Sequence, residues 1–133
     1  MLEGYINIEH NKKLAELAED KFSDINQLKY IYLKCVDQQD IDKLKNIFKH
    51  WSNINKDLTI PISYAKEGGL LVKLNTHKFI KRMGSLMMKT DRVNWFNKKY
   101  SVTFEIRQYS FASDQGIKRG IYFALTKIDI WDA

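Results

Sequence analysis

The residues best suited to chemistry in this chain are aromatic rings set beside cations near its C-terminal end. Arg107, Tyr109 and Phe111 recur at a spacing of two, and Tyr122, Lys118 and Arg119 follow within a few residues. Rings and positive charges at strand spacing suit one kind of partner above others. Unpaired bases offer π-faces for stacking, and the phosphates between them need positive charge. A competing account is that Tyr109, Phe111 and Tyr122 cover a second sheet or a helix, and composition alone does not separate the two.

Enzymatic signatures are missing by comparison. There is no Gly-Lys-Ser/Thr phosphate loop, no dinucleotide glycine fingerprint and no His-Glu-x-x-His. His10, His50 and His77 are scattered, so no metal site and no cofactor are expected. In the second half the acids are Glu67, Asp91, Glu105, Asp114, Asp129 and Asp132. A metal-dependent nuclease needs several converging acids. Glu105, one strand step from Arg107, is the single inviting position, and a surface ion pair explains it equally well. The chain therefore reads as a binding protein before an enzyme, with a nuclease as a distant reading.

The elements that would position these residues show in the hydrophobic pattern. Tyr100, Val102, Phe104 and Ile106 alternate with Ser101, Thr103, Glu105, Arg107, Tyr109 and Phe111. That period predicts a half-buried strand. Ile121, Phe123 and Leu125 predict its return partner, joined through a basic turn holding Lys118 and Arg119 between Gly116 and Gly120. Ile128 and Ile130 are out of phase with Leu125, which predicts a β-bulge between them.

Earlier in the chain, weak alternation over Leu2–Glu9 predicts a first strand with Leu2, Gly4, Ile6 and Ile8 on one side. Asn11–Phe22 has helical spacing, with Asn11 placed to cap it. Leu28–Val36 reads as a central strand with apolar residues on both faces and Cys35 as a small buried residue. Asp40–Trp51 predicts an amphipathic helix capped by Asp40, its stripe of Ile41, Leu44, Ile47, Phe48 and Trp51 packing on a sheet or closing a barrel end. Leu58–Tyr64 predicts a strand whose Pro61 demands an edge position, followed by a turn at Lys66–Gly69 and a strand over Leu70–Thr76. His77–Phe96 is irregular and mixes Lys78, Lys81 and Arg82 with Phe79, Met83, Met87, Met88 and Trp95. That mixture suits nucleic acid, and a methionine-rich segment suits a protein-binding surface equally.

At 133 residues the chain is one domain by length, with enough apolar sequence for its own core. The net charge is +6, and it is unevenly spread. Before residue 66 there are nine Lys and Arg against ten Asp and Glu; from there on, thirteen against six. A basic second half suggests a polyanionic partner, although lysine-rich chains also scatter charge for solubility. One cysteine excludes an internal disulfide and fits a reducing compartment. No apolar run approaches a membrane span, and the first residues lack signal-peptide character. A cytoplasmic setting is expected.

Three segments carry a family resemblance. They are Ile62-Ser-Tyr-Ala-Lys-Glu-Gly-Gly-Leu-Leu-Val-Lys-Leu74, Tyr100-Ser-Val-Thr-Phe-Glu-Ile-Arg-Gln-Tyr109 and Gly120-Ile-Tyr-Phe-Ala-Leu-Thr-Lys-Ile128. Together they resemble the single-stranded DNA-binding proteins of tailed bacteriophages, over about the C-terminal half. The resemblance implies a five-stranded OB-fold barrel with added helices, acting in host cytoplasm during viral DNA replication, recombination or repair. Those proteins usually end in an acidic tail that recruits replication or recombination proteins. Here the last residues carry only Asp129 and Asp132, with Trp131 read as a packing residue, which puts tail-mediated recruitment in doubt.

The expectation is thus a mainly β, OB-fold-like barrel that binds single-stranded DNA with little sequence preference. Lys73, Lys78, Lys81, Arg82, Arg107, Lys118 and Arg119 would track phosphates, while Tyr64, Trp95, Tyr109, Phe111 and Tyr122 would stack on bases. An RNA-binding module of the same type and a viral structural or protein-interaction subunit remain open, as does the oligomeric state.

Overall fold

The alternation of Leu70, Val72 and Leu74 with more polar neighbours sets one wall of a barrel. In the computed structural model these three side chains are buried, while Leu71, Lys73 and Asn75 are half-buried on the other side. The structure describes residues 1–12, 29–77, 96 and 98–130. The helix predicted over Asn11–Phe22 lies almost wholly outside the described residues. So do Lys78, Lys81, Arg82, Trp95 and Trp131.

Among the described residues there are six strands: β1 (Leu2–Tyr5), β2 (Tyr30–Cys35), β3 (Ile62–Tyr64), β4 (Leu70–Asn75), β5 (Lys99–Ser113) and β6 (Gly116–Ile130). A 3-10 turn covers Ile8–His10, and the helix α1 (Gln38–Ile54) joins β2 to β3. Pairing runs β1 to β2, β2 to β4, β4 to β6, β6 to β5 and β5 back to β1. All of these pairs are antiparallel except β4 with β6. Closure through a single parallel seam gives a five-stranded OB-fold-like barrel, as expected from the sequence. β3 hangs on the edge of β4, where Pro61 places it.

The core is filled from every wall: Leu2, Ile6, Ile31, Leu33, Cys35, Val72, Leu74, Tyr100, Val102, Ile121, Phe123 and Leu125 are buried together. Gly4 allows β1 to close on β2. A Cβ there would stand 2.6 Å from the Lys34 carbonyl oxygen and 2.8 Å from Leu33 Cγ. The helix contributes Leu44 to this core, with Ile41, Ile47 and Trp51 packed against it. Among the described residues no helix is long and apolar enough to cross a membrane.

The predicted bulge is present. Thr103 pairs with Lys127 and Phe104 with Leu125, leaving Thr126 as the extra residue of β6. The Thr126 hydroxyl donates to the Thr103 carbonyl at 3.0 Å and pins the offset. Inward burial of Ile121, Phe123 and Leu125 thereby coexists with Ile128 packing against the same core.

Some boundaries differ from expectation. β1 stops at Tyr5 because the chain curls at Asn7, whose carbonyl accepts from His10 N–H at 3.3 Å and from Asn11 Nδ2 at 2.9 Å. β3 is shorter than predicted. Pro61 has no N–H to give, and Thr59 is stitched to β6 instead: its N–H donates to Arg119 O at 3.1 Å, and Ile121 N–H donates to Thr59 O at 2.9 Å. Asp40 does not cap the helix, which begins two residues earlier after Asp37. Asp40 is buried, and its carboxylate accepts the Glu3 N–H at 3.2 Å, tying α1 to β1. The basic turn is also displaced. β5 runs on to Ser113 and β6 starts at Gly116, so Lys118 and Arg119 lie within a strand. The turn itself is Asp114–Gln115, closed by the Ser113 hydroxyl donating to Gly116 O at 2.8 Å.

A candidate nucleic-acid interface

Strand register decides which side chains share a surface. In β2 and β4, Ile31 pairs with Leu74 and Leu33 with Val72, all buried inside. The alternate pairs, Tyr30 with Asn75 and Tyr32 with Lys73, therefore face outward. Asn75 pairs with Ala124 across the parallel seam, which puts Ala124 and Tyr122 of β6 on that same outer side. From there the β5–β6 register adds Arg107 opposite Tyr122, Tyr109 opposite Gly120, and Phe111 opposite Lys118. One sheet surface thus carries Tyr30, Tyr32, Tyr109, Phe111 and Tyr122 with Lys73, Arg107 and Lys118.

The barrel end of this surface is built on β2 and β4. The rings of Tyr30 and Tyr32 meet edge to face, with centroids 5.6 Å apart. Lys73 Nζ sits 4.3 Å from the Tyr30 ring centroid, a cation–π contact. Burial, with Tyr30 beside it, raises the Tyr32 phenol above its ordinary range. Asn11 fixes the backbone beneath. Its Oδ1 accepts from Tyr32 N–H at 2.7 Å, and its Nδ2 donates to Tyr32 O at 2.9 Å. A single buried side chain thus satisfies both main-chain groups of Tyr32, as a neighbouring strand would.

The other end projects from the barrel as a two-stranded arm. On its outer face the Tyr109 and Phe111 rings are nearly parallel, 12° apart in plane and 6.2 Å between centroids. Tyr122 lies 6.3 Å from Tyr109 on the other side. Gly120 makes this possible: the Tyr109 ring lies over it, and a Cβ there would collide with the ring carbons and hydroxyl. Phe111 is 52% exposed at this end of the surface. Arg107 Nη2 pairs with Glu105 Oε2 at 2.7 Å, both half-exposed. The ion-pair account of Glu105 is the one this geometry matches.

Six of the residues read from sequence are therefore brought together: Lys73, Arg107, Tyr109, Phe111, Lys118 and Tyr122. Two are not. Arg119 pairs with Ser110 and points to the opposite face of the arm. Tyr64 pairs with Leu70, an inward position, so it leaves the outer face and lines a shallow hollow with Leu44, Phe48 and Ile62. Lys78, Lys81, Arg82 and Trp95 fall outside the described residues. Tyr30 and Tyr32 were missed, although the order Tyr-Ile-Tyr-Leu-Lys-Cys carries the signal once tyrosine is counted as an outward, polar-tipped ring.

Among the described residues, one group of acids is close enough to share a cation: Glu3, Asp37 and Asp40, with oxygens within 4.8 Å. Lys99 already occupies its rim, 2.7 Å from Asp37 and 3.6 Å from Glu3. The hydrogen bond to Asp37 holds the Lys99 ammonium above its usual range. This cluster joins β1, β5 and the start of α1, and it reads as a fastening of the barrel. Comparison with protein-family models, with curated proteins and with solved structures gives no match.

Proposed function

We propose that this protein binds single-stranded DNA with little sequence preference, as a binding protein and not an enzyme. The observation that carries the reading is the shared outer surface of β2, β4, β5 and β6. Five aromatic rings and three cations lie there on the sheet of an OB-fold-like barrel. OB-folds take oligonucleotides on the strands that β2 and β4 represent here, and on the loop that the β5–β6 arm extends. Tyr30, Tyr32, Tyr109, Phe111 and Tyr122 stack on successive bases, and Lys73, Arg107 and Lys118 neutralise phosphates between them. A duplex hides its base faces and is a poor ligand for such a surface. The family resemblance supplies the setting: coating unwound strands during replication, recombination or repair of viral DNA.

The test is fluorescence anisotropy with labelled oligo-dT, the matching RNA and a duplex, each at two salt concentrations. Oligo-dT is expected to bind best, with a log–log salt slope near −2 for about three neutralised phosphates. Arg107 must exchange Glu105 for a phosphate, so its share of that slope is the smallest. Stronger binding to RNA would move the ligand to the RNA class. No binding to any nucleic acid would overturn the proposal.

A further inference from the structure

Among the described residues, the β5–β6 arm has an open edge. β1 covers β5 only from Lys99 to Val102, and no strand among the described residues pairs with the same edge beyond it. Which main-chain groups point outward there follows from Thr59. The Arg119 carbonyl and the Ile121 N–H are spent on Thr59, away from β5. In an antiparallel pair the two members of such a position both turn outward. Ser110, opposite Arg119, and Gln108, opposite Ile121, therefore offer their N–H and C=O to the open edge. With a period of two, Phe104, Ile106 and Ala112 do the same.

Natural sheets guard such edges with lysine, proline or an inward charge. Here Glu105 and Arg107 are the charges of the open stretch, and its second half carries none. From Gln108 to Ser113 the run Gln-Tyr-Ser-Phe-Ala-Ser has no charge, no proline and no glycine. The available stretch is bounded by the end of β1 at one side and by the Asp114–Gln115 turn at the other.

We propose that two copies of this chain pair β5 to β5 across this edge, antiparallel, about a two-fold axis at Gln108. That register is selected by the bounds: Phe104 meets Ala112 of the second copy, so the open stretch is used from end to end without running into β1. Every outward-pointing residue then meets another, Ile106 with Ser110 and Gln108 with its own copy. The charges are accommodated as well. Arg107 faces the ring of Tyr109 across the axis, a cation–π pairing, and neither Glu105 nor Arg107 faces its like. A two-fold interface of this type is closed and stops at the dimer. Because paired residues share a face, the surfaces bearing Tyr109, Phe111 and Tyr122 join into one continuous sheet face. The pairing itself does not depend on what that face binds.

Light scattering on the full chain without nucleic acid is expected to give twice the chain mass at micromolar concentration. Gln108→Lys places two ammonium groups against each other at the axis and should raise the dissociation constant at least about fivefold. Its melting temperature, set by the barrel, should stay unchanged at low concentration. Gln108→Cys should cross-link in air, with dissolved oxygen taking the two electrons and two protons of the paired thiols, because directly paired residues stand about 5.5 Å apart, within disulfide reach. Ser110→Cys should not, since the two copies of residue 110 are then about 13 Å apart along the strands. A monomer across the concentration range, or cross-linking at 110 but not at 108, would overturn the proposal.

Discussion

Replacing Tyr109 with alanine tests the stacking surface at its centre. The ring is the middle member of three, 6.2 Å from Phe111 and 6.3 Å from Tyr122. Its removal breaks the row and also uncovers Gly120, which has no side chain to take the ring's place. One lost base stack is worth roughly 1–3 kcal/mol, which converts to a loss in oligo-dT affinity of about fivefold to about 150-fold. The side chain is half-buried on an arm outside the core, so the fold should lose no more than about 1 kcal/mol. Anisotropy titrations report the first number and urea unfolding the second. Tyr109→Phe keeps the π-face and should bind within about twofold of the parent. Ile117→Ala, exposed on the reverse side of the arm, should do the same. The refuting result is a folded Tyr109→Ala protein whose affinity changes less than about twofold. A Tyr109→Phe protein as weak as Tyr109→Ala would also refute stacking, because the hydroxyl and not the ring would then be the contact.

Three further outcomes follow from the framework that holds this surface. Gly4→Ala forces a Cβ against the Lys34 carbonyl and Leu33 at the β1–β2 junction and should cost about 1–3 kcal/mol in urea unfolding. Asn11→Ala leaves the Tyr32 main-chain groups without their buried partner; it should destabilise by about 1–3 kcal/mol and weaken oligo-dT binding through misplacement of Tyr32. Burial pushes the Cys35 thiol and the Tyr100 phenol each up to about 12. Both groups keep their protons in the native state after the unfolded chain has lost them, so stability should fall as pH rises from about 9 towards 12. Thermal melts across that range test this, with Cys35→Ala expected to flatten part of the slope.

The sequence was most legible where one face of a strand is buried and the other is wet. Leu70, Val72 and Leu74 gave both the strand and its inward side, and the phase slip after Leu125 gave the bulge at Thr126. Alternation lost meaning where the arm leaves the barrel, because both of its faces meet solvent. The strand limits at Ser113 and Gly116, and the opposite fates of Lys118 and Arg119, could not be read there. Tyr64 shows a second limit. Local spacing says that Tyr64 and Ile62 share a side, and only the pairing of Tyr64 with Leu70 says which side that is. Asp37 and Asp40 show a third. Either acid suits a helix start, but Asp37 is drawn to Lys99 and Asp40 to Glu3 N–H, partners remote in the chain. Tyr30 and Tyr32 escaped notice because a tyrosine counts as apolar in a periodicity and as polar on a surface.

The pairing of Leu2 with Val102 also governs the order of assembly. β1 emerges from the ribosome before the other barrel strands, yet its partner on β5 follows about a hundred residues later, and the parallel seam at Phe123 later still. The β5–β6 hairpin, by contrast, is local and can zip from its own turn. A nascent chain therefore carries β1 and β2 as unclosed, apolar strands until β5 and β6 are both free to complete the ring. Closure of this barrel then waits for the β5–β6 hairpin, and slowing that hairpin would lengthen the time its earlier strands stand exposed.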